Sequence, residues 1–435
     1  MSAHPSFTIE GLAGEKKLAG SVKIQGAKNA ALKAFAAAIL FDEAVELDNV
    51  PETDDIQTII SILEKLGAKI EKTAKHSWKV DASKVHSTDI DEKLAAKMRA
   101  SVVLTGPLLA RFNKVSFPMP GGCVIGARPI DLFLNGYEKM GAGVKQDEQA
   151  YHLESHGLSG AHISFKKISV GATETLMMAA VLAKGTTVLE NCALEPEIVS
   201  VAEWLNACGA DIRGVGTPRI EIVGRNGKLL SAKKAYETIP DRIEAGSFLI
   251  LGALCAKDLV IEDCEPKHME TVIDLLKDCG APITVKKDLL VISGNAAPSS
   301  LLAPIVELRT REYPGFPTDL QAPMTVFLTQ TNGTSKVVET IYEGRFKYIE
   351  DLIATGANIQ VVNPSEVIVK GPTPLKHLPE GKELTAHDIR AGFAMVLTAL
   401  IGRGKFTVTN VQLIDRGYEK LEERLRALGA KIERM

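Results

Sequence analysis

Aromatic residues are scarce in this chain, and several features that would mark particular classes of protein are missing. Aromatics make up 5% of the 435 residues, so a core has to be built mainly from Ala, Val, Leu and Ile. No basic stretch is interleaved with aromatics, which argues against nucleic acid as a partner. The longest apolar runs, such as 393–401, are too short to cross a bilayer, and the first residues do not resemble a secretory signal. We therefore expect a cytoplasmic protein with no membrane partner.

The six cysteines lack the paired spacing of zinc ligands, and no Gly-x-Gly-x-x-Gly pattern occurs. We expect free thiols in a reducing compartment, with no metal and no cofactor. One of them, Cys123, lies in the glycine-rich loop 120–131 (PGGCVIGARPID), whose backbone can approach a ligand closely. The other five are interpreted as core residues: Cys192, Cys208, Cys255, Cys264 and Cys279.

A repeat of about 70 residues runs through the whole chain. An amphipathic helix ending in Gly-Ala and followed by a strand recurs six times, at Gly67, Gly141, Gly209, Gly280, Gly356 and Gly429. Subtracting these positions gives intervals of 74, 68, 71, 76 and 73 residues. Glycine directly after the last apolar turn is a typical helix stop. Intervals this regular indicate an internal repeat.

A second helix in each repeat is apolar on nearly all sides and is predicted to lie inside a core. These segments are 30–40, 100–110, 175–183, 245–256, 320–328 and 391–401. A length of 435 residues suggests two domains, so we expect an α/β fold with three repeats in each domain, helices inside and sheets outside. The predicted domains are 28–239, and 1–27 together with 240–435. Residues 6–10 are expected to pair as a strand with the C-terminal half.

Charged residues open the buried helices, where free backbone N–H groups attract anions. Lys28, Arg99, Asp319 and Arg390 are examples. Ordinary helix capping is an equal alternative for any one of them, but it explains the whole set less well.

The second repeat also carries extra residues between its strand and its amphipathic helix, and they include Gly121, Gly122 and Cys123. An insertion in one repeat only favours a functional loop.

Seven segments together resemble the enolpyruvyl transferase family, and specifically its branch acting on UDP-N-acetylglucosamine. They are 26–30 (GAKNA), 98–101 (MRAS), 120–131, 169–174 (SVGATE), 316–319 (FPTD), 344–346 (GRF) and 415–419 (DRGYE). The resemblance implies an EPSP synthase-like, inside-out α/β barrel whose two domains each hold three βαβαββ repeats with buried parallel helices. It also implies transfer of the enolpyruvyl group of phosphoenolpyruvate to the sugar 3′-hydroxyl with release of phosphate. That reaction is the first committed step of peptidoglycan synthesis, and fosfomycin inhibits it.

The resemblance also assigns roles to individual residues. Cys123 would protonate the methylene carbon of phosphoenolpyruvate, and Asp319 would accept the proton of the sugar hydroxyl. Asn29 would contact the intermediate, and Arg390 with Asp388 would support the phosphoenolpyruvate side. The phosphate and carboxylate would be held by Lys28, Arg99, Arg128, Arg345 and Arg416, of which Lys28 and Arg416 count as catalytic. The UDP-sugar would be lined by Arg128, Pro129, Ile130, Asp131, Leu132, Lys167, Ile168, Ser169, Val170, Asp319 and Ile341.

One residue departs from the resemblance, and two other functions stay open. Lys33 lies in the first buried helix, where family members usually carry an apolar residue or proline, and we expect its ammonium to reach an edge of the core. Shikimate 3-phosphate is an alternative acceptor, although the enzyme that uses it lacks the Cys123 loop. A non-catalytic UDP-sugar-binding paralogue is the other alternative, against which the presence of Cys123 and Asp319 argues.

Overall fold

The computed structural model describes residues 5–119, 130–293, 302–379 and 381–435, which divide into two compact units. Among these residues, we call 26–119 with 130–239 the N-terminal unit, and 5–25 with 240–293, 302–379 and 381–435 the C-terminal unit. Gly26 and Ala27 already belong to the N-terminal unit, two residues before the expected boundary. The Ala27 N–H donates to the Ile239 carbonyl at 2.7 Å, which joins these residues to the end of the same unit.

Helices and strands alternate along both units. The helices are α1 (Lys28–Ala37), α2 (Asp54–Leu66), α3 (Glu92–Lys97), α4 (Thr105–Phe112), α5 (Asp131–Lys139), α6 (Val170–Val181), α7 (Pro196–Ala207), α8 (Arg242–Cys255), α9 (Glu270–Asp278), α10 (Gln321–Leu328), α11 (Ile349–Ala354), α12 (Ile389–Ile401), α13 (Gln412–Asp415) and α14 (Leu421–Ala427). Short 3-10 helices cover Ala38–Leu40, Arg99–Leu104, Pro266–Met269 and Thr318–Leu320. Among the described residues, none of the helices combines the length and the apolar character that a membrane span requires.

The strands are β1 (Ser6–Glu10), β2 (Leu18–Lys23), β3 (Val45–Asp48), β4 (Lys69–Ala74), β5 (Ser77–Asp81), β6 (Lys114–Pro118), β7 (Gly143–Gln146), β8 (Ala150–Glu154), β9 (His162–Ser164), β10 (Thr186–Glu190), β11 (Asp211–Arg213), β12 (Arg219–Val223), β13 (Tyr236–Glu237), β14 (Ala256–Glu262), β15 (Ile283–Val285), β16 (Leu290–Ile292), β17 (Glu307–Arg309), β18 (Gly333–Val338), β19 (Asn358–Asn363), β20 (Glu366–Gly371), β21 (Leu384–Thr385), β22 (Lys405–Thr409) and β23 (Ile432–Arg434).

Both predicted helix types occur in all six repeats. The buried helices are α1, α4, α6, α8, α10 and α12, and most residues of each are buried. The amphipathic helices are α2, α5, α7, α9, α11 and α14. The glycine after each amphipathic helix has φ between +91° and +106°, at Gly67, Gly141, Gly209, Gly280, Gly356 and Gly429. Glycine adopts this left-handed backbone without strain, which explains why it recurs at the helix stop.

Three sheets cover the described part of each unit. Those of the N-terminal unit have the strand orders β13-β3-β5-β4, β6-β8-β7 and β11-β12-β10-β9. Those of the C-terminal unit have the orders β15-β16-β14-β2, β17-β18-β20-β19 and β21-β22-β1-β23. In each four-stranded sheet, the strand after the buried helix has a parallel neighbour on one side and an antiparallel neighbour on the other. Strand β6, after α4, is instead an edge strand of the three-stranded sheet.

The N-terminal strand completes the last repeat. Strand β1 pairs antiparallel with both β22 and β23, so that Phe7 lies opposite Val408 on one side and Arg434 on the other. This confirms the expectation that residues 6–10 pair with the C-terminal half. Within the described residues, the chain therefore passes between the units twice, after Gln25 and after Ile239.

Lys33 does not reach an edge of the core, so that expectation is wrong. Its residue exposure is 8%, and its ammonium lies 3.2 Å from a carboxylate oxygen of Glu174 on α6. The side chains of both residues are more than nine-tenths buried. Lys33 stays inside because a buried carboxylate replaces the water that its charge would otherwise need.

Candidate active site

Asp319 and Arg345 form an ion pair at the start of a buried helix in the C-terminal unit. Asp319 lies in the 3-10 helix that leads into α10, and Arg345 Nη2 donates to its Oδ1 at 2.7 Å. Arg345 Nη1 donates to the hydroxyl of Thr318 at 2.8 Å. Arg345 is only 4% exposed, so its guanidinium is held rigidly beside the carboxylate.

Glu339 organises the loop that carries Ile341 and Arg345. Its carboxylate accepts hydrogen bonds from the backbone N–H of Ile341 at 2.8 Å and of Tyr342 at 3.1 Å. It also accepts one from the Thr318 hydroxyl at 2.8 Å. Sequence reasoning missed this residue. The available signal was a lone carboxylate directly after the apolar end of β18.

Arg390 brings a second guanidinium to Asp319. Its Nη2 lies 3.6 Å from Asp319 Oδ2, and its guanidinium stands 5.3 Å from the ring centre of Tyr418. Asp388 caps α12 by accepting the backbone N–H of Arg390 at 2.7 Å and of Ala391 at 3.0 Å. Asp388 therefore fixes the helix end from which Arg390 reaches the site.

The two arginines are buried cations in a group of acidic residues. Burial alone would lower the pKa of Arg345, but Asp319, Asp388 and Glu339 outweigh it and raise that pKa. Burial likewise opposes the charge of Arg390, and Tyr418, Asp319 and Asp241 raise its pKa. Because Asp241 caps α8, the starts of all three buried helices of this unit meet around Arg390.

Nε of Arg345 and Nη1 of Arg390 are buried without a hydrogen-bond partner among the described residues, which leaves donors for an anionic ligand.

Arg416 belongs to the same end of the C-terminal unit. It directly follows α13 and is half-buried. The next residue, Gly417, lies so close to α12 that an added Cβ would meet Ile389 at 2.6 Å and the Arg390 guanidinium at 3.7 Å. The structure thus brings Asp319, Arg345, Asp388, Arg390 and the Arg416 loop together.

In the N-terminal unit, Lys28 and Asn29 open α1 as predicted. The Lys28 ammonium contacts Asp55 Oδ2 at 2.8 Å, and both side chains are more than nine-tenths buried. Asp55 lies in the first turn of α2, where its charge also suits the positive helix end. Sequence reasoning missed Asp55, although two adjacent aspartates at the start of an amphipathic helix were visible. Asn29 is half-buried at the same helix end.

The remaining predicted residues of this unit lie mostly at helix starts. Arg99 begins a 3-10 helix and is half-buried, while Ile130 is buried just before α5. Asp131, exposed, and Leu132, half-buried, open α5. Before α6, Lys167 is exposed and Ile168 is half-buried. Ser169 caps the helix by accepting the Ala172 N–H at 3.2 Å, and Val170 is the first residue of the helix. Cys123, Arg128 and Pro129 lie outside the described residues.

The cysteines other than Cys123 are core residues, as predicted. All five are free and buried. Burial raises the pKa of Cys192, Cys264 and Cys279 to about 11, and that of Cys255 to about 12. These thiols are therefore protonated and shielded at neutral pH, which makes them poor nucleophiles.

The architecture is that of enolpyruvyl transferases, and the predicted fold is confirmed. The enolpyruvyl transferase NikO from Streptomyces tendae matches 100% of this chain and 99% of its own, with a TM-score of 0.89 at 24% identity. An EPSP synthase from Acinetobacter baumannii matches 99% of this chain and 100% of its own, with a TM-score of 0.73 at 17% identity. At these identities the likeness shows the fold alone.

The sequence comparisons define the family. The model of the EPSP synthase (3-phosphoshikimate 1-carboxyvinyltransferase) family matches residues 12–425, and the chain belongs to this family. Relatives at higher identity include the UDP-N-acetylglucosamine 1-carboxyvinyltransferase of Wolinella succinogenes, 42% identical over 425 residues. The enzyme of the same name from Yersinia pestis is 43% identical over 423 residues. Each alignment covers 97% of this chain and 98% of the relative.

Proposed function

We propose that this protein transfers the enolpyruvyl group of phosphoenolpyruvate to the 3′-hydroxyl of UDP-N-acetylglucosamine and releases phosphate. The relatives that align along nearly the whole chain carry the name of this transfer. The observation of the structure that carries the proposal is the carboxylate of Asp319, held between the guanidinium groups of Arg345 and Arg390. The reaction makes the first committed intermediate of peptidoglycan, and its partners are two small-molecule substrates.

The chemistry needs an acid at carbon, a base at oxygen and cations around an anionic substrate. In the addition step, the sugar oxygen bonds to C2 of phosphoenolpyruvate, its proton passes to Asp319, and Cys123 gives a proton to C3. In the elimination step, C3 loses a proton, the carbon–carbon double bond forms again and phosphate leaves from C2. The product is an enolpyruvyl ether of the nucleotide sugar, so no atoms or electrons are unaccounted for.

The residues around Asp319 suit its role as the base. A carboxylate is a group that can accept a proton, and two guanidinium groups hold this one in place. The hydrogen bond from Arg345 fixes Oδ1 of the carboxylate, and Oδ2 lies 3.6 Å from Nη2 of Arg390, so the carboxylate is held in one orientation for the substrate hydroxyl. Arg345, Arg390 and Arg416 are the cations that this unit supplies for phosphate and carboxylate.

The helix starts of the N-terminal unit are assigned to the two substrates. Lys28, Asn29 and Arg99 are assigned to phosphoenolpyruvate, together with Arg128 of the loop. The nucleotide sugar is assigned to Ile130, Asp131 and Leu132, to residues 167–170, and to Pro129 and Ile341. Helix starts suit these ligands, because their free N–H groups and partial positive charge attract phosphate.

Shikimate 3-phosphate is the second candidate acceptor, because the matching family model is named for that reaction. Relatives at 42–43% identity bear the name of the UDP-sugar reaction instead, whereas the EPSP synthase structure is 17% identical. The UDP-sugar reaction is therefore the better supported of the two.

A phosphate-release assay with the two acceptors in parallel tests the proposal. We expect release from phosphoenolpyruvate only with UDP-N-acetylglucosamine, and a loss of at least about a hundredfold in kcat for Asp319→Asn, which removes the base but keeps the shape. Asp258→Asn, an exposed change on β14, is the control and should retain full activity. Release with shikimate 3-phosphate instead, or full activity of Asp319→Asn, would refute the proposal or the role of this residue.

A further inference from the structure

The buried ion pair between Lys33 and Glu174 lies outside the residues assigned to either substrate. It joins the middle of α1 to the first half of α6 within the N-terminal unit, with Nζ and Oε1 3.2 Å apart. Both side chains are more than nine-tenths buried. Its position in the core of the unit raises the question of what an ion pair does there that apolar side chains would not.

Stability alone does not explain this pair. Removing two charges from water often costs as much as their attraction returns, and an apolar pair of similar size is frequently as stable. The surroundings of Glu174 increase the cost, because the buried carboxylates Glu195 and Glu197 lie at the start of α7 nearby. The pKa of Glu174 is raised to about 7, mainly by burial. Lys33 lowers this pKa, whereas the charges of Glu197 and Glu195 raise it further. Fixing one geometry is the better-attested use of buried charges.

Helix α1 combines two buried charged contacts with a surface made mostly of small side chains. Five of its ten residues are alanine, and small side chains form shallow ridges that interlock weakly with neighbouring helices. Its two lysines hold it from different directions. Lys28 contacts Asp55 of α2, and Lys33 contacts Glu174 of α6. Five residues at 3.6 per turn separate them by roughly 140° around the helix, so the two pairs together fix both its rotation and its position along the axis.

The first turn of α1 is the part whose position matters for the reaction. Ala27 gives it no side-chain cap, and no acidic residue lies in the turn. The helix dipole therefore places a partial positive charge at this end, where Lys28 and Asn29 lie. We propose that the Lys33–Glu174 ion pair is a positioning pair that holds this end of α1 in place for phosphoenolpyruvate. The inference rests on the proposed function, since it concerns the substrate assigned to Lys28 and Asn29.

Helix α6 does not depend on the pair to the same extent. Ser169 caps it by accepting the Ala172 N–H, and the Thr173 hydroxyl accepts the N–H of Ala193 at 3.1 Å. Both hydrogen bonds anchor its first turn, where residues 167–170 are assigned to the nucleotide sugar. Loss of the ion pair should therefore displace α1 and spare α6.

Lys33→Met is the variant that tests the proposal, because it removes the ammonium and keeps the length of the side chain. Without Lys33 the Glu174 carboxyl takes up a proton, so the variant buries no unpaired charge and should fold. We expect the KM for phosphoenolpyruvate to rise between about tenfold and about a hundredfold, the range of a small misplacement of binding groups. The KM for UDP-N-acetylglucosamine should change by less than about twofold.

Two comparisons separate positioning from general destabilisation. Leu189→Ala, on β10 of the same unit and fully buried, should lower the melting temperature without changing the ratio of the two KM values. Glu174→Met combined with Lys33→Met should give no larger KM for phosphoenolpyruvate than Lys33→Met alone. The reason is that substitutions of the two partners of one ion pair do not have additive effects.

The outcomes distinguish this inference from the proposed function. A wild-type protein that releases no phosphate with UDP-N-acetylglucosamine would overturn the proposed function and the inference with it. An active wild type whose Lys33→Met variant shifts both KM values equally, shifts neither, or behaves like Leu189→Ala would overturn the inference alone. The predicted split between the two KM values supports it.

Discussion

At the residue scale, ion pairs hold the charged side chains at the starts of the buried helices. Lys28, Asp319 and Arg390 lie at helix starts, where charge next to an apolar run is visible in the sequence. Their partners are less predictable, because ion pairs join distant parts of the chain. Glu174 lies 141 positions from Lys33 by subtraction, and no local pattern indicates that they meet. The assigned roles of these residues stay predictions.

Cysteine chemistry gives the sharpest prediction at this scale. The five described cysteines are buried, so alkylation of the native protein by iodoacetamide or by fosfomycin should modify Cys123 alone. Mass spectrometry of the digested protein checks this. An adduct on any other cysteine at a comparable rate would contradict the prediction that Cys123 is the reactive thiol.

Two variants of Cys123 test its role as an acid. Cys123→Ser should lose most turnover, because an alcohol is a far weaker acid than a thiol. Cys123→Asp should keep activity with its optimum at lower pH, since the reference pKa falls from about 8.5 to about 3.9 and only the protonated form can act. It should also resist fosfomycin. A pH–rate profile of Cys123→Asp that matches the wild type would contradict the assignment.

At the scale of elements, the glycine stops were the most predictable feature. Six glycines after six amphipathic helices all adopt positive φ, because the left-handed backbone at a helix end excludes most other residues. The glycine that marks the helix end in the sequence is also the residue that the left-handed backbone favours. By contrast, the pairing of β1 between β22 and β23 could only be inferred from an unpartnered strand, since nothing local fixes which of two distant strands it meets.

Replacing one of these glycines should destabilise the N-terminal unit by an amount that depends on its surroundings. Gly141→Ala changes only the backbone preference, because no described atom lies within 4 Å of an added Cβ, and should cost about 1 kcal/mol. At Gly67 the Cβ would lie 2.3 Å from the His86 ring and 2.9 Å from the Lys84 carbonyl oxygen. Gly67→Ala should therefore cost roughly 1–2 kcal/mol more. Thermal unfolding of both variants measures the difference, and equal shifts in melting temperature would contradict the packing argument.

At the scale of the whole molecule, one repeated unit accounts for the architecture and for the placement of charge. Each unit has one core, built around the buried helices of three repeats. In the C-terminal unit, three helix starts meet around Arg390, so three weak positive ends and three charged side chains act at one place. The repeat number and the buried helices were predictable from hydrophobic periodicity. Periodicity does not indicate the acceptor, which was inferred from the resemblance of particular segments, among them residues 120–131.

The most direct test of the central claim is mass spectrometry of the product formed in D₂O from phosphoenolpyruvate and UDP-N-acetylglucosamine. Addition followed by elimination places a solvent deuteron on C3 and then removes one hydrogen from the same carbon. We therefore expect the enolpyruvyl ether of the nucleotide sugar, with deuterium in its methylene group and phosphate released in equal amount. A product without deuterium would contradict the proposed addition and elimination. No product with this acceptor, or a product with shikimate 3-phosphate instead, would contradict the proposed function.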